Sequence, residues 1–120
     1  MRVSLQEDAD MAEPVQTAGV NRIIAGTVAA NGTAVSGQEF TSLRTSQGHY
    51  VVSFQPRFAS ISGGSVTQVY PNDGDTRDNA VIIALTSESC YYKTGDNEGK
   101  ASDRSATFIF AGIGSAAAAE

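Results

Sequence analysis

The chain has 120 residues, of which 41% are hydrophobic and 18% charged, and its formal net charge is -5. This length suits a single domain, and the composition excludes disorder over most of the chain. The eight Lys and Arg residues are scattered, so we expect neither a nucleic-acid partner nor an anionic membrane surface. Cys90 is the only cysteine in the sequence, which excludes an internal disulfide.

The N-terminal residues 1–19 are polar and carry four acidic side chains, Glu7, Asp8, Asp10 and Glu13. They contain no apolar stretch of the kind found in a secretory signal, and no part of the chain approaches the roughly 20 apolar residues of a membrane-spanning helix. We predict an extended arm over 1–19, a β-sandwich domain over 20–114 and a C-terminal tail over 115–120. We expect a virion or an extracellular surface reached without such a signal, with the cytoplasm as the alternative.

Alternation of apolar and polar residues predicts strands along most of the domain. The predicted strands are 22–29, 38–45, 49–54, 65–70, 80–85, 89–94 and 105–112. The run 80–85 is apolar throughout, which is typical of a strand buried on both faces. Asn31-Gly32 predicts a two-residue type I′ hairpin turn, in which both central residues need a positive φ, and Gly63-Gly64 predicts another break between strands. About seven short strands at this spacing indicate an antiparallel β-sandwich or jelly roll.

The residue types for catalysis and metal binding are few. His49 and Cys90 make a Cys–His pair arithmetically possible, but the alternation along their strands favours a surface histidine and a buried cysteine. The acidic turns 72–75 and 96–99 offer oxygen ligands, yet neither has EF-hand spacing and solvated turns use the same residues. We therefore expect a protein that is not an enzyme, with no catalytic residue, metal or cofactor.

An exposed tyrosine is the feature with the most functional content. Tyr91 and Lys93 alternate with Cys90, so they face solvent if Cys90 faces the core. A tyrosine beside a lysine can stack on a sugar ring and hydrogen-bond its hydroxyl groups, whereas a cross-strand surface tyrosine or a subunit contact is the alternative. With Asp75 and Arg77 from a neighbouring turn, these residues form a predicted shallow ligand site.

Three stretches carry a family pattern: YVVSFQPRF over 50–58, VTQVYPNDGDTRDNAVIIALT over 66–86 and CYYKTGDNEGKASDRSATFIFAGIG over 90–114. They resemble the H-type lectin-like β-sandwich, which also occurs in bacterial and phage fibre proteins. The upstream GTVAANGTAVSGQEFTSLRTSQGHY over 26–50 is similar to the lead-in hairpin of the fibre-type versions. A weaker similarity is to tumour-necrosis-factor-like jelly-roll trimers.

The resemblance implies an antiparallel sandwich of six or seven strands that commonly assembles as a homotrimer. In the lectin members the sugar lies near subunit boundaries and the late strands often carry Trp, whereas this chain has Tyr91, Phe108 and Phe110 there and no Trp. Two functions stay open. One is a virion structural protein, such as a capsid decoration protein or a fibre head, docked to a shell or fibre protein through the arm; the other is a carbohydrate-binding lectin.

Overall fold

The computed structural model describes residues 20–114, so the predicted arm and tail lie outside the described residues. Within this range the chain forms eight strands in two four-stranded antiparallel sheets. In chain order they are β1 (Asn21–Val28), β2 (Ala34–Gly37), β3 (Phe40–Ser46), β4 (His49–Phe54), β5 (Phe58–Val69), β6 (Asn79–Leu85), β7 (Ser89–Gly95) and β8 (Ser105–Gly114). The first sheet has the strand order β2–β1–β8–β5 and the second the order β3–β4–β7–β6. Between residues 20 and 114 no helix is long and apolar enough to cross a membrane.

The all-β sandwich predicted from the sequence is confirmed, with two changes at its strands. β2 was not among the predicted strands, and β5 runs without a break through Gly63-Gly64. Gly64 is needed for close packing rather than for a turn, because a Cβ at this position would lie 2.6 Å from the carbonyl oxygen of Ile109. Two register shifts, one of them between Ile61 and Gly63, bend this long strand along its partner β8.

The prediction that 80–85 is buried on both faces was wrong. β6 is an edge strand of the second sheet, and its side chains Val81 and Ile83 are 45% and 53% exposed. A register shift between Ile82 and Ala84 turns an extra apolar residue toward solvent. An unbroken apolar run therefore marks a strand here without marking its burial.

The hairpin between β1 and β2 also differs from the predicted type I′ turn. Gly32 has a φ of 95°, but Asn31 does not adopt a positive φ. The Gly32 N–H donates to the Ala29 carbonyl at 2.8 Å, and the Ala29 N–H donates to the Thr33 carbonyl at 2.8 Å. The loop thus has three residues and places only its last residue in the left-handed region, where glycine is favoured.

The core lies between the two sheets and consists of the inward side of the central strands. Its buried members are Ile24, Val28, Tyr50, Val52, Phe54, Phe58, Cys90, Tyr92, Ala106, Phe108 and Phe110. The ring of Phe54 packs edge-on against Phe58 and Phe110, with centroids 5.0 and 5.3 Å away. Such pairs add about 0.5–1.5 kcal/mol each beyond the burial of their area. Every buried residue of β7 and β8 alternates with an outward one, so the core fixes what each outer face presents.

Candidate functional site

Strand β7 presents two functional side chains to solvent. Cys90 and Tyr92 are fully buried, whereas Tyr91 is 49% exposed and Lys93 also points outward. Tyr91 lies opposite Val51 on β4 and Ala84 on β6. Because both neighbours are short, about half of Tyr91 remains exposed on the outer face of the second sheet.

Lys93 lies in the next row of this face, between two different neighbours. Its cross-strand partners are His49 on β4 and Val81 on β6. This row forms part of a shallow depression of about 250 Å³. The depression is lined by His49, Arg77, Asn79, Val81, Lys93, Thr94, Gly95, Asp96, Gly99 and Ala101. We call the outward residues of β3, β4, β7 and β6, together with this depression, the Lys93 face.

Of the four predicted ligand residues, two line the depression and two do not. Arg77 lines the depression with Lys93. Asp75 does not line it and instead holds Arg77, since its Oδ1 accepts hydrogen bonds from the backbone N–H and the Nε–H of Arg77 at 2.8 and 3.2 Å. These bonds to Arg77 lower the pKa of the Asp75 carboxyl. Tyr91 stands beside the depression, two residues from Lys93 on the same face.

Lys93 also differs from the other cations in its pairing. Six ion pairs occur within residues 20–114, and each uses a different cation. Those cations are Arg22, Arg44, Arg57, Arg77, Lys100 and Arg104. Of the seven Lys and Arg residues in the described part of the chain, Lys93 alone forms no ion pair. Among residues 20–114, no carboxylate therefore lies within ion-pair distance of the Lys93 ammonium group.

The carboxylate of Asp96, which lines the depression, already accepts hydrogen bonds from its own loop. Oδ1 of Asp96 accepts the backbone N–H groups of Lys100 and Glu98, both at 2.9 Å. These two hydrogen bonds, followed by the charges of Arg104 and Lys100, lower the pKa of the Asp96 carboxyl. The second oxygen of Asp96 takes part in neither bond, so it can accept a hydrogen bond from a ligand.

A polar network that sequence reasoning missed holds the loop between β5 and β6. Arg104 Nη1 donates to Gln68 Oε1 at 2.9 Å and pairs with Asp78 Oδ1 at 3.2 Å. Both partners of the ion pair are nearly buried, with 11% of the Arg104 side chain and 8% of the Asp78 side chain exposed. The guanidinium also lies over the Tyr70 ring, 3.7 Å from its centroid. The network fixes the loop that carries Arg77.

The loop between β7 and β8 is held by contacts with β3, β4 and the turn between them. Asp103 accepts the Gly48 N–H at 2.7 Å through one oxygen and pairs with Arg44 Nε at 2.9 Å through the other. The hydroxyl of Tyr50 accepts the backbone N–H of Arg104 at 3.2 Å. These contacts join residues up to 59 positions apart in sequence, so no local sequence pattern predicts them. Of these residues, the sequence pattern predicted only that Tyr50 lies in a strand.

The possible Cys–His pair does not form. Cys90 is fully buried between the sheets, and burial raises the pKa of its thiol to about 12. His49 lies on the outer face of the same sheet, where its Nδ1 donates to the Gln47 carbonyl at 2.8 Å. The two side chains are thus on opposite sides of the sheet. Among residues 20–114 no group of three or more His, Cys, Asp and Glu side chains is placed to hold a metal ion.

The outer face of the first sheet has a different chemistry. Its cross-strand rows over β5, β8 and β1 are Gly63–Ala111–Ile23, Ser65–Ile109–Ala25 and Thr67–Thr107–Thr27. Ile23 and Ile109 are 65% and 48% exposed, and these rows contain no charged residue. We call the outward residues of β1, β8 and β5 the neutral face.

Comparison with known proteins adds no further constraint. No protein-family model, no curated protein and no solved structure matches this chain. The functional interpretation therefore depends on the two outer faces and the residues that build them.

Proposed function

We propose that the chain is a non-enzymatic structural protein that assembles as a homotrimer, of the kind that decorates a capsid or forms a fibre head. The observation that carries the proposal is the neutral face, in which Ile23 and Ile109 stand exposed on a surface without charge. Depletion of charged residues is characteristic of the centre of a protein interface, and contiguous exposed apolar surface marks interaction sites.

The size of the neutral face fits part of such a contact. Strand spacing and the rise per residue give three strands and three rows an area on the order of 300 Å². A standard interface buries about 800 Å² on each partner, so the neutral face can form its apolar centre while the surrounding loops complete it. The small side chains at Gly63, Ala111 and Ser65 make this centre flat, which lets a neighbouring copy approach closely.

The edge of the same sheet supports the proposal independently. β5 is a twelve-residue edge strand, and its sequence FASISGGSVTQV contains no charged residue and no proline. Exposed edge strands normally carry such residues to prevent pairing with other chains. A neighbouring subunit that covers β5 removes the need for them.

The mass of the full chain in solution tests the assembly. We expect light scattering to give three times the mass of one chain for the wild type and the mass of one chain for Ile109→Glu, because the carboxylate would be buried in the contact. Tyr91→Glu is the matched control on the opposite face and should remain trimeric. A monomeric wild type, or equal dissociation of both variants, would overturn the assignment of the neutral face.

Docking to a larger particle is a separate part of the proposal. We expect the acidic residues 1–19 to bind the shell or fibre protein, so deletion of 1–19 should abolish docking and leave the trimer intact. Docking that survives the deletion would remove the arm from this role.

Carbohydrate binding is the second candidate, and the Lys93 face favours it. An exposed Tyr91 stands beside a polar depression that contains a lysine without an ion-pair partner among residues 20–114. Small-ligand sites use this combination of an apolar platform and placed polar groups. We expect a glycan array to show binding that Tyr91→Ala abolishes. An array without signal for the wild-type protein would exclude this function.

A further inference from the structure

The depression on the Lys93 face is lined by two cationic side chains, Lys93 and Arg77, and by one anionic side chain, Asp96. Lys93 has no ion-pair partner within residues 20–114. Arg77 uses Nε and Nη2 toward Asp75, so Nη1 retains its donors for another group. Because His49 Nδ1 donates to the Gln47 carbonyl, its Nε2 is the nitrogen left for a ligand.

From this arrangement we infer that the depression binds a carboxylated sugar residue, with its carboxylate on Lys93 and Arg77. The inference rests on the second, carbohydrate-binding function and adds the class of sugar. An ammonium and a guanidinium group that converge on one depression suit an anion, because hydrogen bonds between ionised groups are about twice as strong as neutral ones.

The remaining groups of the depression suit a sugar acid rather than a simple anion. The second oxygen of Asp96 takes no part in its bonds to Glu98 and Lys100 and can accept from a hydroxyl group. The charge of Asp96 would repel a doubly charged phosphate more strongly than a singly charged carboxylate. Asn79 Oδ1 accepts the Ala80 N–H at 2.8 Å, which leaves its two amide N–H donors for ligand oxygens. Hydroxyl groups match this mixture of donors and acceptors.

Apolar contacts are available for the ring of the sugar. Val81 is 45% exposed and lines the depression opposite Lys93, and Tyr91 stands two residues away on the same face. The volume of about 250 Å³ is below the roughly 300–1,000 Å³ of sites for drug-sized ligands. The site therefore fits one saccharide unit, and a ligand of about a dozen heavy atoms is expected to bind with a Kd on the order of 1 mM.

The test is an NMR titration of the full chain with methyl glucuronide, methyl glucoside and inorganic phosphate. We expect saturable shifts at the amides of His49, Arg77 and Lys93 with the glucuronide, and at least tenfold weaker binding of the glucoside and of phosphate. Lys93→Gln should weaken glucuronide binding at least tenfold. Arg57→Gln removes the same charge at an exposed pair with Glu88 outside the depression and should have no effect.

The outcomes separate this inference from the function on which it rests. Equal binding of glucoside and glucuronide would overturn the carboxylate specificity and leave carbohydrate binding standing. Phosphate that binds as tightly as the glucuronide would show that the depression binds anions in general and would overturn the inference of a sugar ligand. If neither sugar binds but a peptide of residues 1–19 shifts the same amides, the site holds the acidic arm of another copy, and both carbohydrate statements fail. If nothing binds, both fail as well.

Discussion

The neutral face and the Lys93 face belong to one sandwich but are built in different ways. Pairing of β1, β8 and β5 is enough to produce the neutral face, because its three rows follow the register shifts of β5. The Lys93 face needs the pairing of β4, β7 and β6 and also two loops, which supply Arg77 and Asp96 to the depression. A surface made by strand pairing alone is as stable as the sheet, whereas a surface completed by loops depends on the contacts that hold those loops.

The largest effect is expected for Arg104→Ala, which removes a contact that holds the loop of the Lys93 face and leaves the neutral face unchanged. Arg104→Ala should lower the free energy of unfolding by about 3–5 kcal/mol, because it leaves the nearly buried carboxylate of Asp78 without its partner. The loop with Arg77 loses this attachment, so the proposed glucuronide binding should be lost while the proposed trimer persists. Chemical denaturation, titration and light scattering measure the three quantities.

The control for that variant is an ion pair on the surface. Arg57 and Glu88 are 62% and 69% exposed in their side chains, and such pairs contribute about 0–1 kcal/mol. Arg57→Ala should therefore change stability by less than about 1 kcal/mol. If Arg104→Ala dissociates the trimer as readily as it removes sugar binding, the two faces are not independent.

A smaller effect is expected at Cys90, which lies directly beneath the Lys93 face. Because the thiol is buried and its pKa is about 12, it should not react with a disulfide reagent at about pH 8 until the second sheet opens. Cys90→Ser should cost about 1–3 kcal/mol by burying a hydroxyl group without a partner.

The rate at which the Cys90 thiol is labelled also tests which sheet the proposed assembly covers. If the proposed contact uses only the neutral face and Cys90 becomes accessible by local opening of the second sheet, the labelling rate should be nearly the same in the wild-type protein and in Ile109→Glu. Labelling that becomes much faster in the monomer would mean that the second sheet is covered by the contact as well.

Lowering the pH should also change the Lys93 face before it changes the neutral face. Hydrogen bonds from the backbone N–H groups of Lys100 and Glu98 lower the pKa of Asp96, and the Arg44 side chain together with the Gly48 N–H lowers that of Asp103. Because folding lowers these values, the stabilisation is complete above the ordinary aspartate pKa of about 3.9 and is lost as the pH falls through the lower folded-state value.

Amide spectra recorded as the pH is lowered from about 5 through the folded-state pKa values measure this loss. Changes should appear first in the loop 96–104 on the Lys93 face. The rows of Ile109 and Thr67 contain no titratable side chain and should change only when the whole protein unfolds. Asp96→Ala should reduce the dependence of stability on pH, and an unchanged dependence would show that this carboxylate contributes little.

Strand alternation predicted much of this fold and the outward pair Tyr91 and Lys93. Period-two patterns specify which residues share a face, and β4 was predicted with the bounds that the structure has. The sequence could not show that His49 lies opposite Lys93, because the cross-strand register depends on pairing between segments 44 residues apart.

The parts of the site that could not be predicted are all held by distant contacts. Burial of Arg104 against Asp78 and Gln68 depends on three segments meeting at one end of the sandwich. The exposed side of β6 likewise follows from its place at a sheet edge, which its apolar sequence does not encode. Local pattern predicts elements, whereas the order of strands decides which of their faces meet solvent.

The smallest expected effect concerns two adjacent glycines on β5. A Cβ at Gly63 would have no heavy atom within 4 Å, whereas a Cβ at Gly64 would collide with the Phe110 ring. Glycine in a strand interior costs about 0.5–1 kcal/mol relative to alanine. Gly63→Ala should therefore stabilise the isolated subunit by about that amount, and Gly64→Ala should destabilise it.

Because Gly63 lies on the neutral face opposite Ala111, its substitution also probes the contact between copies. In monomeric Ile109→Glu the added methyl group meets only solvent, so denaturation should show the full gain of about 0.5–1 kcal/mol. In the proposed trimer the methyl group would meet the neighbouring subunit, and overpacking there should offset part of the gain. An equal gain in both backgrounds would place Gly63 outside the contact and confine the interface to the rows nearer Ile109 and Thr107.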